Sequence, residues 1–506
     1  METVSFGTLN YVVLGIYLAA MLAVGAYFSR RQENAEMFFL AGRKLPWLAV
    51  AMSMYASLTS AVTYLGVPGT AYSENIALII VCIMSPVVAP FILLLFYPLY
   101  HRLGVTTSYE YINHRFGQVA HRCVAGLFVL ARLGWLGTVI FAPALAMSVA
   151  TGIPLWSCIL MMGILATAYT ALGGLSAVVW TDVIQFVILI GGAVWIACSL
   201  AHRAEGGVDG ILSLARETGR LHIADWKPDL FALTGPAVAI SFFFQMMQDY
   251  GTDQVSVQRL MATGSLRSTI KSVTFNACTD FFIIGLLLFI GLGLFAVFRD
   301  MELPADITSD KVMPYYIIHY LPQGVSGLLI TAVFAAAMSS MDSGINSIAT
   351  VLIKDFMNTR SQDSGFKFQV SSFRLQVSEV GLARILTVAL GGLATAVAFY
   401  AATLDSILEA FFSFMGMFSA PVLALFLLGT LTRFGNFRGW LIGALVSIGF
   451  SIWIQHFTEV NGIYYFPFSF GISFGIALVA SRLFRTPAAP RDLTVWNLRP
   501  SASSAG

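Results

Sequence analysis

Charge is scarce in this sequence of 506 residues. Asp, Glu, Lys and Arg make up only 11% of it, whereas about 25% is usual for a soluble chain. Hydrophobic residues make up 58%, and the mean hydropathy is +0.80. At roughly 20 apolar residues per membrane-crossing helix, this composition supplies about fourteen spans. It excludes a soluble enzyme, a disordered chain and a nucleic-acid binder, and it makes a lipid bilayer the expected surroundings.

Several motifs that carry chemistry are also absent. The sequence has no phosphate-binding GxxxxGK[ST] loop, so this chain lacks the nucleotide-binding motif that ATP-driven transport requires. It has no HExxH motif and no Cys/His cluster for zinc. Its five cysteines are scattered and form no CxxC pair, so redox chemistry is not expected. We therefore predict a protein that is not an enzyme, with no organic cofactor and no obligate protein partner.

Long apolar runs predict thirteen membrane-spanning helices. They cover about 8–28, 46–71, 76–99, 121–150, 154–172, 176–201, 231–251, 270–297, 324–351, 380–404, 406–431, 438–457 and 463–484. Most of the 28 Lys and Arg residues then fall in alternate loops, which the positive-inside rule assigns to the cytoplasm. This pattern predicts a multi-pass protein of the plasma membrane, or of the inner membrane in a bacterium. Its N-terminus is expected outside and its C-terminus in the cytoplasm.

A single transmembrane domain is expected over 1–485. The first apolar run ends in Arg30 and Arg31 and lacks a basic residue before it, which is typical of a retained span rather than a cleaved leader. Residues 486–506 are rich in Pro, Ala and Ser and predict a disordered cytoplasmic tail.

Hydroxyl-bearing residues interrupt the second predicted span. Five Ser and Thr residues lie between Ser53 and Thr63, just before Gly66 and Pro68. A helix that breaks beside this Gly and Pro would free backbone carbonyls to coordinate a cation. Small polar residues are equally typical of ordinary helix packing in membranes. The pattern alone leaves both interpretations open.

The ninth predicted span has the sharpest polar pattern. Ala336, Ser339, Ser340 and Ser343 recur at helical spacing and form one stripe. A stripe of Ser and Ala alone is more typical of helix packing. Asp342 lies in the same turns, and an ionisable residue inside a membrane is costly and usually functional. The aspartate therefore favours an ion site.

Three further polar positions lie within or beside apolar runs. Gln245, Gln248 and Asp249 share one face near the end of the seventh span, although a helix end that meets water explains the same pattern. Asp182 lies near the inner end of the sixth span, where an acid also stabilises a helix start. Arg132 lies deep in the fourth span. It either pairs with an acid or meets an anionic substrate.

These residues belong to stretches that resemble the sodium:solute symporter family over roughly 8–485. The stretches are 56–63 with 66–68, 107–111, 142–146, 172–174 with 180–185, 253–259 and 336–347. The resemblance implies an all-α polytopic fold similar to the leucine transporter. Its five-plus-five inverted repeat would occupy about 46–431, with one extra helix before it and two after it. The second and seventh spans would be the paired broken helices.

The resemblance also implies Na⁺ as the coupling ion and two sets of ion ligands. The first site would use the carbonyls and hydroxyls of Ala56, Thr59, Ala336, Ser339 and Ser340. The second site, which only some family members have, would use Asp182, Ser339, Asp342 and Ser343.

The solute follows less directly. The sialic acid branch of the family has an arginine where this chain has Trp135 and a glutamine where it has Cys82, which argues against sialic acid. We predict Na⁺-coupled import of a small organic anion, such as a monocarboxylate or a vitamin-like acid. The alternatives are a carrier of a sugar or other neutral solute, a proton-coupled carrier, and a channel-like or sensor protein.

Two groups of residues are candidates for contact with that solute. The pocket candidates are Ser57, Ser60, Thr63, Tyr64, Trp135, Gln245 and Gln248. The candidate gates are Phe412 and Phe414.

Overall fold

The computed structural model describes most of the chain. The described residues are 7–29, 37, 40–223, 226–227, 229–304, 307–357, 366–370, 373–377, 379–403, 412–484 and 490–497. Within them the regular secondary structure is helical apart from one short hairpin.

The α-helices are numbered α1 to α18 in chain order. Those of the first half are α1 Thr8–Ser29, α2 Trp47–Leu58, α3 Ala61–Ser73, α4 Ile80–Leu95, α5 Tyr97–Leu103, α6 Ser108–Phe116, α7 Gln118–Thr151, α8 Leu155–Arg203 and α9 Gly207–Glu217. Those of the second half are α10 Gly235–Gly251, α11 Gln254–Met261, α12 Leu266–Phe298, α13 Ser309–Tyr320, α14 Val325–Val351, α15 Glu379–Ala401, α16 Ala420–Leu431, α17 Phe437–Phe457 and α18 Tyr465–Leu483.

Short turns and one hairpin complete the secondary structure of the described residues. The 3₁₀ turns are Ala41–Arg43, Ala77–Ile79, Gly462–Tyr464, Arg491–Leu493 and Val495–Asn497, and the π turns are Leu352–Phe356 and Met415–Ser419. Strands β1 Phe366–Val370 and β2 Phe373–Val377 pair in antiparallel register, with Phe366 opposite Val377. The hairpin lies between α14 and α15, outside the predicted spans.

The described helices match the predicted spans. Ten of them are long and apolar enough to cross a membrane, or eleven if α2 and α3 count as one bent span. The shorter apolar helix Leu155–Ala168 and the 17-residue α10 account for the remaining two. The predicted span 406–431 is described from residue 412 onward. The prediction of an all-α polytopic membrane protein is confirmed.

Helix α8 contains both of the predicted spans, 154–172 and 176–201, and joins them without a break. It is one helix of 49 residues, about twice the length that a bilayer crossing requires. No proline lies between Leu155 and Arg203, so every residue keeps the N–H that helix continuation needs.

Part of the predicted disordered tail has defined structure. Residues 490–497 contain two 3₁₀ turns. The Tyr111 hydroxyl donates to Leu493 O at 3.0 Å, and Trp496 Nε1 donates to Leu431 O at 2.8 Å. Leu493 is buried. These contacts dock the segment against α6 and the end of α16, which corrects the prediction for these eight positions.

Helix α14 is the centre of the bundle. Nearly all of its residues are buried, whereas only a minority of those of α1 are. It packs against α2, α7 and α8. The Ser/Ala stripe predicted for the ninth span therefore faces other helices and not lipid.

Candidate functional site

The first feature of the site is a break between α2 and α3. The two helices meet at an angle of 58°. The Ser60 N–H bonds Leu58 O at 3.1 Å, although in a continuous helix it would bond Ala56 O. The Ser60 hydroxyl accepts from Val62 N at 3.2 Å and caps α3. The break thus removes the usual helical partner of the Ala56 carbonyl.

The position of this break corrects the prediction that it lies beside Gly66 and Pro68. Both residues lie inside α3. The break lies at Thr59 and Ser60, several residues earlier in the chain. Proline removes one helical hydrogen bond, whereas a serine cap both ends one helix and starts the next. The cap therefore determines where the chain turns.

Helix α14 brings its serine stripe to this break. Ser340 Oγ donates to Ser57 O at 2.9 Å, and Ser339 Oγ lies 3.4 Å from Ser57 Oγ. Ala336 lies one turn before Ser340 on the same face of α14. Ser57 is flanked by Ala56 and lies two residues before Thr59. The structure thus brings together the two chain segments of the predicted first Na⁺ site.

No side-chain donor among the described residues bonds the carbonyl of Ala56 or Thr59. Ala56 is fully buried and Thr59 is only 6% exposed. A buried carbonyl without a donor costs free energy, and a hard cation such as Na⁺ supplies what such an oxygen lacks. The chemistry of these groups therefore fits a small monovalent cation.

A buried network around Asp182 of α8 lies beside the residues predicted for the first Na⁺ site. Ser53 Oγ donates to Asp182 Oδ2 at 2.6 Å, and Ser57 Oγ lies 3.2 Å from the same oxygen. Ser57 Oγ also lies 2.7 Å from Ser343 Oγ. Asp182 Oδ1 has no hydrogen-bond partner among the described residues. Three of the four residues predicted for a second Na⁺ site, Asp182, Ser339 and Ser343, thus surround Ser57.

Asp342, the fourth, is fully buried on α14. Its Oδ1 accepts from Ser343 N at 3.1 Å. Asp342 therefore adjoins the network through Ser343, whose hydroxyl lies beside that of Ser57.

Arg259 belongs to this network, although its chain position between the predicted spans 231–251 and 270–297 indicates a cytoplasmic loop. It lies on α11 and is fully buried. Its Nη2 lies 3.2 Å from Asp182 Oδ2, and its Nε donates to Ser53 Oγ at 2.9 Å. It also hydrogen-bonds Ser343. A buried carboxylate requires a counter-charge, so the signal for Arg259 was the intramembrane Asp182 itself.

A second break separates α10 from α11. The Asp253 side chain accepts from Val255 N at 2.8 Å and caps α11. Side-chain hydroxyls bond the freed carbonyls, as follows: Tyr97 to Tyr250 O at 2.7 Å, Tyr100 to Gly251 O at 2.7 Å and Ser108 to Thr252 O at 2.8 Å. The protein's own hydroxyls thus satisfy this break, whereas no side-chain donor among the described residues bonds the Ala56 or Thr59 carbonyl at the break between α2 and α3.

Arg132 pairs with an acid, the structural alternative of the two that the sequence left open. Its Nη2 lies 2.6 Å from Asp253 Oδ2, and each side chain is 2% exposed. The guanidinium lies over the Trp135 ring, 4.4 Å from its centroid. Arg132 is therefore neutralised and covered on one side by Trp135.

A cavity of about 560 Å³ adjoins the first break. Of the predicted pocket and gate residues, its wall includes Ser60, Thr63, Trp135, Gln245 and Phe412. Thr59 also lines it, so one residue belongs to both the cavity and the candidate ion site.

Four other candidates lie outside the lining of this cavity. Ser57 belongs to the network around Asp182. Tyr64 is fully buried, with its hydroxyl 3.4 Å from Leu189 O. Gln248 Nε2 lies 3.4 Å from Asp253 Oδ2. The ring of Phe414 packs closely against the backbone of Gly134.

The lining also contains Asp280 of α12, which sequence analysis did not single out. Its Oδ2 accepts from Ser85 Oγ at 2.6 Å, and the residue is 9% exposed. The sequence does contain a signal for Asp280, because an aspartate within the apolar run 270–297 is costly in a membrane and is usually functional.

A bundle with two capped breaks, freed carbonyls and an adjoining cavity defines a secondary transporter of the broken-helix type. Comparison with known proteins agrees. The sequence profile of the sodium:solute symporter family matches residues 38–447, and the chain belongs to that family. It is therefore a Na⁺-coupled solute symporter and a multi-pass membrane protein, and not an enzyme. Na⁺ and a small solute are its transport partners.

Individual relatives transport different solutes. The chain is 32% identical to the sodium/sialic acid symporter NanT of Aliivibrio fischeri, over 92% of this chain and 91% of that protein. It is 32% identical to sodium-coupled monocarboxylate transporter 1 of Mus musculus, over 89% of this chain and 73% of that protein. It is 30% identical to the human sodium/iodide cotransporter, over 90% of this chain and 70% of that protein.

Solved structures show the same fold. A substrate-bound, outward-open Na⁺-coupled sialic acid symporter, described as having a novel Na⁺ site, matches with a TM-score of 0.86 and 28% identity, covering 96% of this chain and all of that one. A transporter of the nucleobase-cation-symport-1 family matches with a TM-score of 0.56 and 14% identity, covering 88% of this chain and 94% of that one. The predicted leucine-transporter-like fold is confirmed.

The serine pair of α14 generates the first testable prediction. The double substitution Ser339→Ala plus Ser340→Ala should weaken apparent Na⁺ affinity about tenfold or more, because losing a polar contact in a buried site costs on the order of 1–3 kcal/mol. The measurement is the Na⁺ concentration dependence of thermal unfolding in detergent. The matched control is Ser469→Ala plus Ser473→Ala, two buried serines of α18. Equal Na⁺ affinity in both double variants would contradict the assignment.

The Arg259–Asp182 pair generates a second prediction. Arg259→Gln or Asp182→Asn alone leaves a buried charge uncompensated and should destabilise the fold by about 3–5 kcal/mol. The two substitutions together should cost less than their sum. Arg102→Gln, which breaks a half-exposed 3.6 Å ion pair with Asp492, should cost about 1 kcal/mol or less. Thermal unfolding of all four variants measures this, and strict additivity of the buried pair would count against it.

Proposed function

We propose that this symporter imports a small organic solute from the cavity beside the first break, using Na⁺ bound between α2 and α14. The observation that carries the proposal is that Thr59 belongs to both sites. The residue lines the cavity, and its carbonyl is one of the candidate Na⁺ ligands. An ion at this carbonyl fixes the same turn that forms part of the cavity wall.

Coupling follows from that shared turn. Na⁺ that bridges the carbonyls of α2 and the hydroxyls of α14 holds the two helices together and sets the position of Thr59 and Ser60. The solute then meets a preformed wall and loses less free energy to ordering it. By linkage, the solute raises the affinity for Na⁺ by the same factor.

The proposed first Na⁺ site comprises Ala56, Thr59, Ala336, Ser339 and Ser340. A second Na⁺ site at Asp182, Ser339, Asp342 and Ser343 has weaker support. Asp182 Oδ2 is engaged by Ser53 and Arg259, so only Oδ1 is available to an ion. Arg259 already balances the charge of Asp182.

The proposed orientation has the N-terminus outside and the C-terminus in the cytoplasm. It rests on the distribution of Lys and Arg. Phe231, Leu233 and Asn461 line the cavity and lie at chain segments that this orientation assigns to the outside. The cavity then faces outward, as a carrier that loads Na⁺ and solute from the outside requires. Inside, low Na⁺ and a membrane potential of about 2.3 kcal/mol per charge per 100 mV favour release of the ion.

The proposed solute is small and polar. A volume of about 560 Å³ lies within the range of small-molecule pockets. Ser60, Thr63 and Gln245 supply hydrogen-bonding groups to its wall. The predicted small organic anion lacks support from the lining, because the described lining residues include no Lys, Arg or His.

Ion selectivity provides the third prediction. At fixed pH, Na⁺ should raise the melting temperature of the purified protein and K⁺ at equal concentration should not, because the proposed site offers a few oxygen ligands to one small ion. A screen of small solutes should then find compounds that stabilise the protein more in Na⁺ than in K⁺. Thermal shift measures both effects.

Two outcomes would overturn this proposal. Equal stabilisation and equal solute binding in Na⁺ and K⁺ would remove Na⁺ coupling and favour a proton-coupled carrier. In proteoliposomes, solute flux that neither saturates nor follows the Na⁺ gradient would favour the channel-like alternative.

A further inference from the structure

The cavity has a strongly one-sided charge. Its described lining contains four acids, Glu74, Asp249, Asp280 and Glu459, and no basic side chain. Glu74 and Glu459 are exposed at the rim, whereas Asp249 is half-buried and Asp280 is 9% exposed. The two inner carboxyl groups therefore lie where water screens a charge less than at the rim.

Arg132, a basic residue behind the cavity wall, is not part of the lining. It is 2% exposed, bonds Asp253 and lies behind the Trp135 ring. Its charge is already balanced within the wall. An anionic solute in this cavity thus meets two carboxylates and no cation. This arrangement is the reverse of what recognition of an anion requires.

A buried acceptor in the same wall points to a hydrogen-bond donor on the solute. Gln245 is 3% exposed and lines the cavity. Its Oε1 has no hydrogen-bond partner among the described residues. A buried polar atom left unsatisfied costs free energy, and an N–H or O–H of a solute would satisfy it.

Aromatic rings complete the surroundings. Rings in the lining are those of Trp135, Phe231, Phe242, Tyr250, Phe412 and Tyr465. Phe242 and Phe412 pack edge to face, with centroids 6.5 Å apart. Ring faces attract cations, and aromatic walls beside acids are the usual receptor for an ammonium group.

We propose that the transported solute carries a positively charged nitrogen, a protonated amine or a quaternary ammonium group, held between the Asp249 and Asp280 carboxylates and the aromatic wall at Trp135. This inference rests on the proposed function, because it assigns the solute of the same cavity. It replaces the anion that the sequence predicted. The acids supply the charge, the rings supply the shape, and Gln245 accepts a hydrogen bond from the solute.

Three probes of nearly equal shape test the charge. They are choline, its uncharged carbon isostere 3,3-dimethylbutan-1-ol, and the anion 3,3-dimethylbutanoate. In saturating Na⁺, choline should stabilise the protein at a concentration about tenfold or more below that of the neutral isostere, because only the cation gains from the carboxylates and rings. The anion should give no stabilisation. Choline that binds no better than the neutral isostere, or binding of the anion at least as tight, overturns the proposal.

Variants locate the effect in the cavity. Asp249→Asn and Asp280→Asn should each weaken choline binding about tenfold and narrow its advantage over the isostere. Glu459→Gln, the matched loss of an exposed rim carboxylate, should change choline binding about twofold or less, because water screens that charge. If Asp280→Asn does not fold, Asp249→Asn carries the test. An unchanged choline affinity in Asp249→Asn would overturn the assignment.

The Na⁺ dependence of stability without any solute separates the two proposals. If Na⁺ stabilises the protein but choline does so no better than its neutral isostere, the proposed Na⁺-coupled function is retained and the proposed class of solute is wrong. Loss of Na⁺ stabilisation in the wild-type protein means that the proposed function itself fails.

Discussion

The break between α2 and α3 is the constraint on which the rest of the site depends. Within a membrane, non-helical backbone is tolerated only where it is buried in protein or lines a cavity. Here the Ser60 cap turns the chain by 58° and removes the helical partner of the Ala56 carbonyl. The most buried helix, α14, places Ser339 and Ser340 against that turn. The second break, at Asp253, shows the contrast, because three hydroxyls close its carbonyls.

Two buried ion pairs fix the helices around these breaks. Arg259 of α11 holds Asp182 of α8, and Arg132 of α7 holds Asp253, the cap of α11. The short α11 is therefore tied at both ends to helices that flank the site. Buried pairs add little net stability when compared with apolar packing, but each fixes a position for its carboxylate. The inner acids of the cavity, in contrast, have no such guanidinium in its lining.

Periodicity and hydropathy predicted the helices well, because a bilayer imposes a minimum apolar length on each span. They placed the break wrongly, since Gly66 and Pro68 are strong local signals while a capping hydroxyl at Ser60 looks like any other serine. They missed Arg259, which chain position assigned to a loop, and Asp280, which an apolar run concealed. Pairings such as Asp182 with Arg259 depend on how distant helices meet. A linear pattern does not specify those contacts.

Hydrogen exchange of the backbone amides tests most directly whether the turn at Thr59 and Ser60 binds Na⁺. Adding Na⁺ at fixed pH and ionic strength should slow exchange in peptides that cover 56–63 and 336–343, because bound ion closes the local opening of the turn. K⁺ should leave both segments unchanged. Peptides from α17 should exchange equally in either salt. Protection that is identical in Na⁺ and K⁺, or that spares 56–63, would contradict the central claim.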